Sequence, residues 1–219
     1  MEKKRARKPE EKEVRKQSIV NALKELLLKE RFPLPSSNDI AQAAQVTKGV
    51  IYFYFKTREE IFLTLYLQEA NHFFEKLDRV LLQDSYSIEK VKKTILAQFT
   101  ENEIFMFLGL IVPGILESNV DPEFLYSFKK ATADGMDQIA KSWMKKEKEL
   151  TLTKARKFIL RFFFLALMLW QHNHPTESAQ KAFAGKKLWL AEGDFKQELS
   201  ESFDWLWQGL MRDSSPKRS

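Results

Sequence analysis

Apolar residues recur along this chain at intervals of three and four, and the strict alternation typical of strands never persists. Seven glycines and seven prolines in 219 residues interrupt that spacing only rarely. The pattern therefore predicts an all-α chain. Its helices are expected at about residues 9–29, 38–44, 47–53, 58–82, 87–100, 103–112, 121–146, 153–171, 176–190 and 194–211.

Two of these predicted helices, 38–44 and 47–53, are short and are joined by a turn at Gln45 and Val46. Helices of this length are not stable alone, because nucleating a helix costs more than a few hydrogen bonds return. They must pack on a neighbour, and the second helix with the residues after it then exposes hydroxyls, ammonium groups and bare backbone. Such groups suit phosphates and base edges. The residues expected on this surface are Thr47, Lys48, Gly49, Tyr52, Tyr54 and Lys56.

The stretch from Val14 to Leu67 resembles the DNA-binding domain of TetR-type bacterial regulators. The resemblance is carried by IVNALKELL and by SSNDIAQAAQVTKGVIYFYFKTREEIF, above all by the dense block from Thr47 to Phe62. The family usually carries glycine in the turn where this chain has Gln45, and glutamine enters a left-handed conformation only at some steric cost. The resemblance implies DNA contacts by Ser37, Thr47, Lys48, Gly49, Val50, Tyr52, Tyr54 and Lys56.

The helix pattern and the resemblance together predict three parts. An arm and a three-helix helix-turn-helix domain occupy residues 1–57, a long connecting helix occupies 58–83, and a C-terminal helical bundle for ligand binding and dimerisation occupies 84–219. The connecting helix begins at a capping box, Thr57-Arg58-Glu59-Glu60. At about 1.5 Å per residue, a helix of about 25 residues spans about 37 Å, which is enough to connect a DNA-facing end to a distant core.

The net charge of +6 is concentrated at the front of the chain. Residues 1–60 hold fourteen Lys or Arg against nine Asp or Glu, whereas the other 159 residues are almost balanced, with twenty-two against twenty-one. This asymmetry is typical of a nucleic-acid-facing head on a neutral body. The basic arm Met1–Lys8 fits two interpretations, a segment that lies on phosphates and a solvated tail.

Enzymes, metal sites and membrane proteins are disfavoured. The chain lacks cysteine, a G-x-S-x-G motif, a Gly-rich phosphate loop and a dinucleotide fingerprint, and no catalytic residue, cofactor or metal is expected. His172 and His174 are best explained as a helix end. The longest apolar run, Phe162–Trp170, is far shorter than the roughly 20 residues of a spanning helix. With a charged N-terminus that lacks an apolar signal, the expected location is cytoplasmic.

The C-terminal part is rich in aromatic residues, and the chain has eighteen phenylalanines in all. These side chains either wall an apolar cavity for a hydrophobic small molecule or form an ordinary core. The resemblance implies an effector pocket in this bundle. The residues predicted to line it are His72, Phe99, Phe105, Phe128, Trp143 and Phe163.

The predicted helix 153–171 is apolar nearly all round between Phe158 and Trp170. A helix without a polar face must be covered on both sides, and a second subunit is the natural cover for the side that its own domain leaves free. The resemblance likewise implies a homodimer that pairs through its last long helices. The predicted interface residues are Phe158, Phe162, Leu165, Leu169, Phe203, Trp207 and Leu210.

Three functional hypotheses follow. The first is a dimeric repressor that binds a near-palindromic double-stranded DNA operator and is released from it by a small, mainly hydrophobic effector. The second is a non-catalytic helical interaction protein whose basic head binds polyanions or a membrane surface without sequence preference. The third and weakest is an enzyme that uses the apolar cavity. Competition between specific and random duplex distinguishes the first two.

Overall fold

Helices make up most of the part of the chain that the structure, a computed structural model, describes: residues 9–186, 189 and 193–212. The arm Met1–Lys8 and part of the predicted helix 176–190 lie outside those residues. No strand occurs among them, which confirms the all-α prediction. The α-helices are α1 Pro9–Lys29, α2 Ser37–Ala43, α3 Lys48–Tyr54, α4 Arg58–Leu82, α5 Ile88–Glu101, α6 Glu103–Ile111, α7 Pro122–Lys146, α8 Leu152–Asn173, α9 Glu177–Phe183 and α10 Phe195–Arg212.

Most predicted helix starts are fixed by side-chain caps. Ser36 caps α2 with a complete capping box, because its hydroxyl accepts from the Asp39 N–H while the Asp39 carboxylate accepts from the Ser36 N–H. The Ser87 hydroxyl caps α5 by accepting from the Lys90 N–H. The predicted start of α8 at Thr153 is wrong, since Thr151 is the residue whose hydroxyl accepts from the backbone of the first turn.

Helix α6 ends at Ile111, one residue before the predicted end at Val112, but Pro113-Gly114 does not stop the helical run as predicted. The helical run continues after α6 as a π-helical turn, Val112–Leu116, and a 3₁₀ turn, Glu117–Asn119. Proline sits at the start of the π-helical turn, where its missing N–H would have had no partner within that turn. No single described helix is long and apolar enough to cross a bilayer; α5 and residues 103–119 pass that test only as a pair bent by 75°.

The described residues form two compact units. Unit 1 holds the residues up to Glu69 together with Ile111–Lys129, and unit 2 holds Ala70–Leu110 together with the residues from Lys130 onward. Residues 111–129, which the sequence assigns to the C-terminal domain, therefore cluster with the N-terminal helices. This grouping puts the start of α7 in the same unit as the short helices α2 and α3.

Unit 1 is built around buried side chains of its first four helices. Two polar pairs join α1 to α4: Gln17 and Gln68 exchange two amide hydrogen bonds of 3.1 and 2.7 Å, and the Lys24 ammonium lies 2.6 Å from the buried Glu69 carboxylate. Partly buried polar pairs of this kind help to fix the register of the two helices. The largest buried apolar side chains of the unit are Ile19, Leu23, Leu27, Ile40, Ile51, Phe55, Ile61, Phe62, Leu63 and Leu65.

The turn between α2 and α3 places Gln45 at φ = +53°, a left-handed conformation that favours glycine. The Val46 N–H donates to Ala41 O at 2.9 Å, and the Gln45 N–H donates to Gln42 O at 3.1 Å. These two bonds are the pair that defines the Schellman motif at a helix C-terminus. The chain thus builds the expected turn and accepts steric strain at Gln45.

We therefore expect Gln45→Gly to stabilise the chain. Removing the side chain relieves about 1–2 kcal/mol of left-handed strain and costs about 0.5–1 kcal/mol of unfolded-chain entropy, so the free energy of unfolding should rise by about 0.5–1 kcal/mol. Urea unfolding followed by circular dichroism measures this change. Gln42→Gly, on the exposed side of helix α2, is the control and should lower the same free energy. A lower stability for Gln45→Gly would contradict this interpretation.

Candidate nucleic-acid interface

Helix α3 is seven residues long and is held by one face. Thr47 caps it, its hydroxyl accepting from the Val50 N–H at 3.4 Å, and Ile51 is fully buried beneath it. The opposite face is open to solvent. The exposed residues of this region are Thr47, Lys48, Gly49, Tyr52, Phe53 and Lys56.

Tyr52 is held in place by two neighbours. Its hydroxyl donates to Ser37 Oγ at 3.3 Å, and the Lys48 ammonium lies 5.8 Å from the centre of its ring. Ser37 itself is buried, with 8% of its surface exposed. Its position is therefore that of a support for Tyr52 across the α2–α3 angle, whereas the sequence predicted a direct DNA contact.

Packing within the chain does not explain Gly49. A Cβ atom at this position would meet only the Thr47 hydroxyl, at an ordinary distance of 3.8 Å. Glycine in a helix is less favourable than alanine by about 0.5–1 kcal/mol. A glycine that costs helix stability without an internal reason suits a surface that a partner's backbone approaches closely.

Two predicted contact residues, Val50 and Tyr54, lie away from the open face. Val50 is half-buried, and the Tyr54 hydroxyl is buried without a hydrogen-bond partner among the described residues. Position 54 is two residues after Tyr52, about 200° around the helix, so it shares the inward side with Ile51. The predicted contact between the Tyr54 hydroxyl and a phosphate therefore does not fit this structure.

Lys56 lies at the junction of α3 and α4, and its side chain is exposed. Its backbone N–H donates to the Glu60 carboxylate at 2.8 Å, while the Glu60 N–H donates to Thr57 Oγ1 at 3.3 Å. This confirms a capping arrangement at the predicted start of α4. The Lys56 backbone is thus fixed, and its ammonium lies 3.7 Å from the carboxylate of Asp121, the N-cap of α7.

Sequence reasoning missed two residues of this surface. Phe53 is 66% exposed on α3, next to Tyr52, and as an apolar residue it was not among the predicted contact residues. Asp121 lies 65 positions after Lys56, and no local pattern signals that the two side chains meet.

The predicted ligand-binding residues are only partly brought together. In unit 2, the rings of Phe99, Phe105 and Phe163 lie 6.0–6.3 Å apart, and Phe73, which the sequence prediction missed, joins them. These four define the aromatic cluster of unit 2. It provides an apolar, polarisable environment within unit 2.

The other three predicted ligand residues lie elsewhere. His72 is exposed, and Phe128 belongs to unit 1, where its ring is 6.0 Å from that of Tyr66. Trp143 is fully buried; it stacks on Trp207 at 5.1 Å, and its indole N–H donates to the Tyr86 hydroxyl at 3.2 Å. Phe128 and Trp143 therefore pack against neighbouring rings, and the exposed His72 lines no apolar cluster.

The predicted dimer residues also divide. Phe158, Phe162 and Phe203 are buried inside their own chain, with ring centres 5.3–5.8 Å apart, so they present no surface to a partner. The predicted residues that stay half-buried are Leu165, Leu169, Trp207 and Leu210.

A different face of α8 is open. Leu160, Phe164 and Met168 are 47%, 51% and 55% exposed, and Trp205 of α10 is 69% exposed. Positions 160, 164 and 168 repeat every four residues and are offset by two from 158 and 162, which puts them on the opposite side of the helix. The prediction that α8 is apolar on both sides is confirmed, and the outward side is this stripe, Leu160-Phe164-Met168.

The histidine pair ends α8 as expected. The His174 Nδ1 atom lies 2.8 Å from the Trp170 carbonyl oxygen, and the His174 ring stacks on Trp170 at 4.3 Å. Within residues 9–186, 189 and 193–212, no group of three or more acidic, His or Cys side chains is placed to hold a metal ion.

Comparison with known proteins finds a family match for each of two successive parts of the chain. The family model described as "Bacterial regulatory proteins, tetR family" matches residues 19–65, and the model described as "Tetracyclin repressor-like, C-terminal domain" matches residues 67–213. The fatty acid metabolism regulator protein of Bacillus subtilis is 27% identical over 82 residues, which is 37% of this chain and 42% of that protein. The matched part thus spans less than half the length of this curated relative.

Solved structures share the fold at low identity. FadR of Thermus thermophilus, a transcriptional repressor in complex with lauroyl-CoA, is 20% identical with a TM-score of 0.57, covering 89% of this chain and 94% of that one. FadR of Bacillus subtilis in complex with stearoyl-CoA is 16% identical with a TM-score of 0.56, covering 88% and 98%. A regulator from Syntrophomonas wolfei is 19% identical with a TM-score of 0.60, covering 90% and 95%.

Proposed function

Because the chain belongs to the TetR family of bacterial regulators, we propose that it is a dimeric transcriptional repressor that leaves its operator when a long-chain acyl thioester binds. The observation that carries this proposal is the open face of α3. A capped helix with an exposed lysine, glycine and tyrosine lies within residues 1–60, which hold nearly all the excess positive charge. That combination suits a major groove.

In the proposed complex, α3 enters the major groove with Lys48, Gly49 and Tyr52 nearest the bases. Thr47 and Lys56 contact the sugar-phosphate backbone on either side and so set the register of the helix. Arg and Lys side chains recognise guanine edges, and a tyrosine ring suits the thymine methyl group. Two symmetry-related copies of α3 require a near-palindromic operator.

The proposed dimer interface is the stripe Leu160-Phe164-Met168 of α8, extended by Trp205 of α10. This interface replaces the buried residues of the initial prediction and keeps the half-buried ones at its edge. Large apolar side chains repeated on an exposed helix face mark a protein–protein contact more often than an ordinary solvated surface.

The proposed effector is a fatty acyl thioester whose chain inserts beside the aromatic cluster of unit 2. Support comes from the apolar character of that cluster and from the two FadR structures that carry acyl-CoA molecules. Helix α4 is continuous from Arg58 in unit 1 to Leu82 in unit 2, so it belongs to both units. The effector releases the operator only if it binds the DNA-free form of the protein more tightly than the DNA-bound form. The proposed location is the cytoplasm, where the operator lies.

The effector proposal predicts dependence on acyl-chain length. Lauroyl-CoA or stearoyl-CoA at saturating concentration should weaken binding to a duplex that the protein has selected by about tenfold or more. Coenzyme A without an acyl chain, and butyryl-CoA, should leave that affinity nearly unchanged, since they cannot fill an apolar site. Fluorescence anisotropy of the labelled duplex measures the DNA affinity in the presence of each of these ligands. An equal effect of free coenzyme A, or no effect of any chain length, would contradict the proposal.

A further inference from the structure

The start of helix α7 contributes a negative charge to the DNA-binding unit. Residues 111–129 belong to unit 1, although they follow the long helix in sequence. Asp121, the N-cap of α7, points its Oδ2 atom at the Lys56 ammonium, 3.7 Å away. Lys56 is the residue proposed above to hold an operator phosphate from the junction of α3 and α4.

The two charges meet at the edge of a cleft of about 450 Å³ inside unit 1. One wall of the cleft is formed by the end of α3 and the start of α4, and the other wall is formed by the first turns of α7. Asp121 and Glu123 supply carboxylates on the α7 wall, opposite the only lysine of that lining. The lining residues are Tyr52, Phe53, Tyr54, Phe55, Lys56, Glu60, Asp121, Glu123, Phe124 and Ser127.

Lys56 is not locked into this pair. Its side chain is 76% exposed and that of Asp121 is 38% exposed, so water screens the attraction. A phosphate on the DNA strand can therefore compete for the same ammonium group. Two neighbouring groups hold the pKa of Asp121 below its ordinary value and so keep it charged. The larger effect is the hydrogen bond that its carboxylate accepts from the Glu123 N–H, and the Lys56 ammonium adds to it.

We propose that Asp121 limits operator affinity by competing with a DNA phosphate for the Lys56 ammonium. This inference rests on the proposed function, in which Lys56 contacts the DNA backbone. The carboxylate acts twice, because it neutralises Lys56 in the free protein and repels the phosphate that replaces it. The first turn of α7 is then an affinity-determining part of the DNA-binding unit, outside the helix-turn-helix segment.

Asp121→Asn removes the charge and keeps an amide oxygen that caps the helix as well as aspartate does. Freeing one lysine for one phosphate should tighten binding about threefold to tenfold at low salt. It should also steepen the dependence of log affinity on log salt by up to about 0.9, the contribution of one phosphate contact. The probe is a labelled duplex selected from a random pool by the unchanged protein, titrated at several KCl concentrations.

Asp194→Asn is the matched control. Asp194 is also an N-cap, its Oδ1 atom accepting from the Gln197 N–H at 2.7 Å, but it belongs to unit 2. Both substitutions raise the net charge by one, so a general charge effect appears in both variants. Lys56→Ala alone and combined with Asp121→Asn completes the set.

The proposal expects tighter binding for Asp121→Asn than for Asp194→Asn, and no such gain when Lys56 is alanine. Equal gains in the two Asn variants, or a full gain that persists without Lys56, would overturn this inference and leave the proposed function standing. If the unchanged protein bound no duplex at all, the proposed function would fail and this inference with it.

Discussion

The double variant Lys48→Ala/Tyr52→Ala should lose specific operator binding by about 100-fold or more. Both side chains stand on the exposed face of α3, and each contact with a base edge is worth about 1–3 kcal/mol of discrimination. The fold should survive, since removing exposed side chains usually changes stability little. The lost Tyr52–Ser37 hydrogen bond adds a cost of about 1 kcal/mol.

A second double variant tests whether the loss of binding comes from lost base contacts or only from the removal of one positive charge. Lys93 and Tyr126 are exposed residues of the same two types, on α5 and α7. Lys93→Ala/Tyr126→Ala removes the same charge and a similar ring, so its weakening of binding should be small. Anisotropy titration at fixed salt compares the operator affinities of the two double variants. Circular dichroism checks that both are folded. Undiminished operator binding by the α3 variant would remove the role assigned to this helix.

The variant Phe164→Glu should convert the dimer into single chains. Phe164 is half-exposed in the isolated chain, so a glutamate is tolerated there by the folded subunit. In the proposed dimer, the same carboxylate would be buried against the partner's apolar stripe, and burying such a charge without a counter-charge is costly. Operator affinity should fall by about 100-fold or more, because two linked heads gain that much from binding together.

Sedimentation analysis at several protein concentrations measures the mass of Phe164→Glu and of the unchanged chain. Tyr126→Glu is the control, since Tyr126 is a similarly exposed aromatic residue on α7. It should keep the mass of the unchanged chain. A Phe164→Glu protein that still sediments as a dimer would place the interface away from this stripe.

Local signals in the sequence predicted much of unit 1. A hydroxyl or carboxylate that accepts from the first turn fixes a helix start, and Thr47 and Thr57 are read from sequence without any knowledge of the fold. The left-handed turn at Gln45 was expected only from the family resemblance, and the two backbone hydrogen bonds of the Schellman motif now account for it. The helix limits of α1, α3 and α4 follow from the same local rules.

Tertiary packing decided what the sequence did not predict. Both faces of α8 are apolar, and which face is buried depends on the partner helices: Phe158 and Phe162 pack inward, whereas Phe164 does not. The spacing of apolar residues shows that α8 has two apolar faces, but it does not show which of them is buried. The grouping of Asp121 with Lys56 likewise arises from a contact between distant segments, which no local pattern encodes.

Selection of duplexes from a random pool by the purified protein tests the central claim most directly. If a dimer presents two copies of α3 to DNA, the enriched sequences should share an inverted repeat, with half-sites separated by about one helical turn or a multiple of it. Enrichment of unrelated sequences, with binding that follows only the salt concentration, would contradict that claim and identify the basic head as a general polyanion binder.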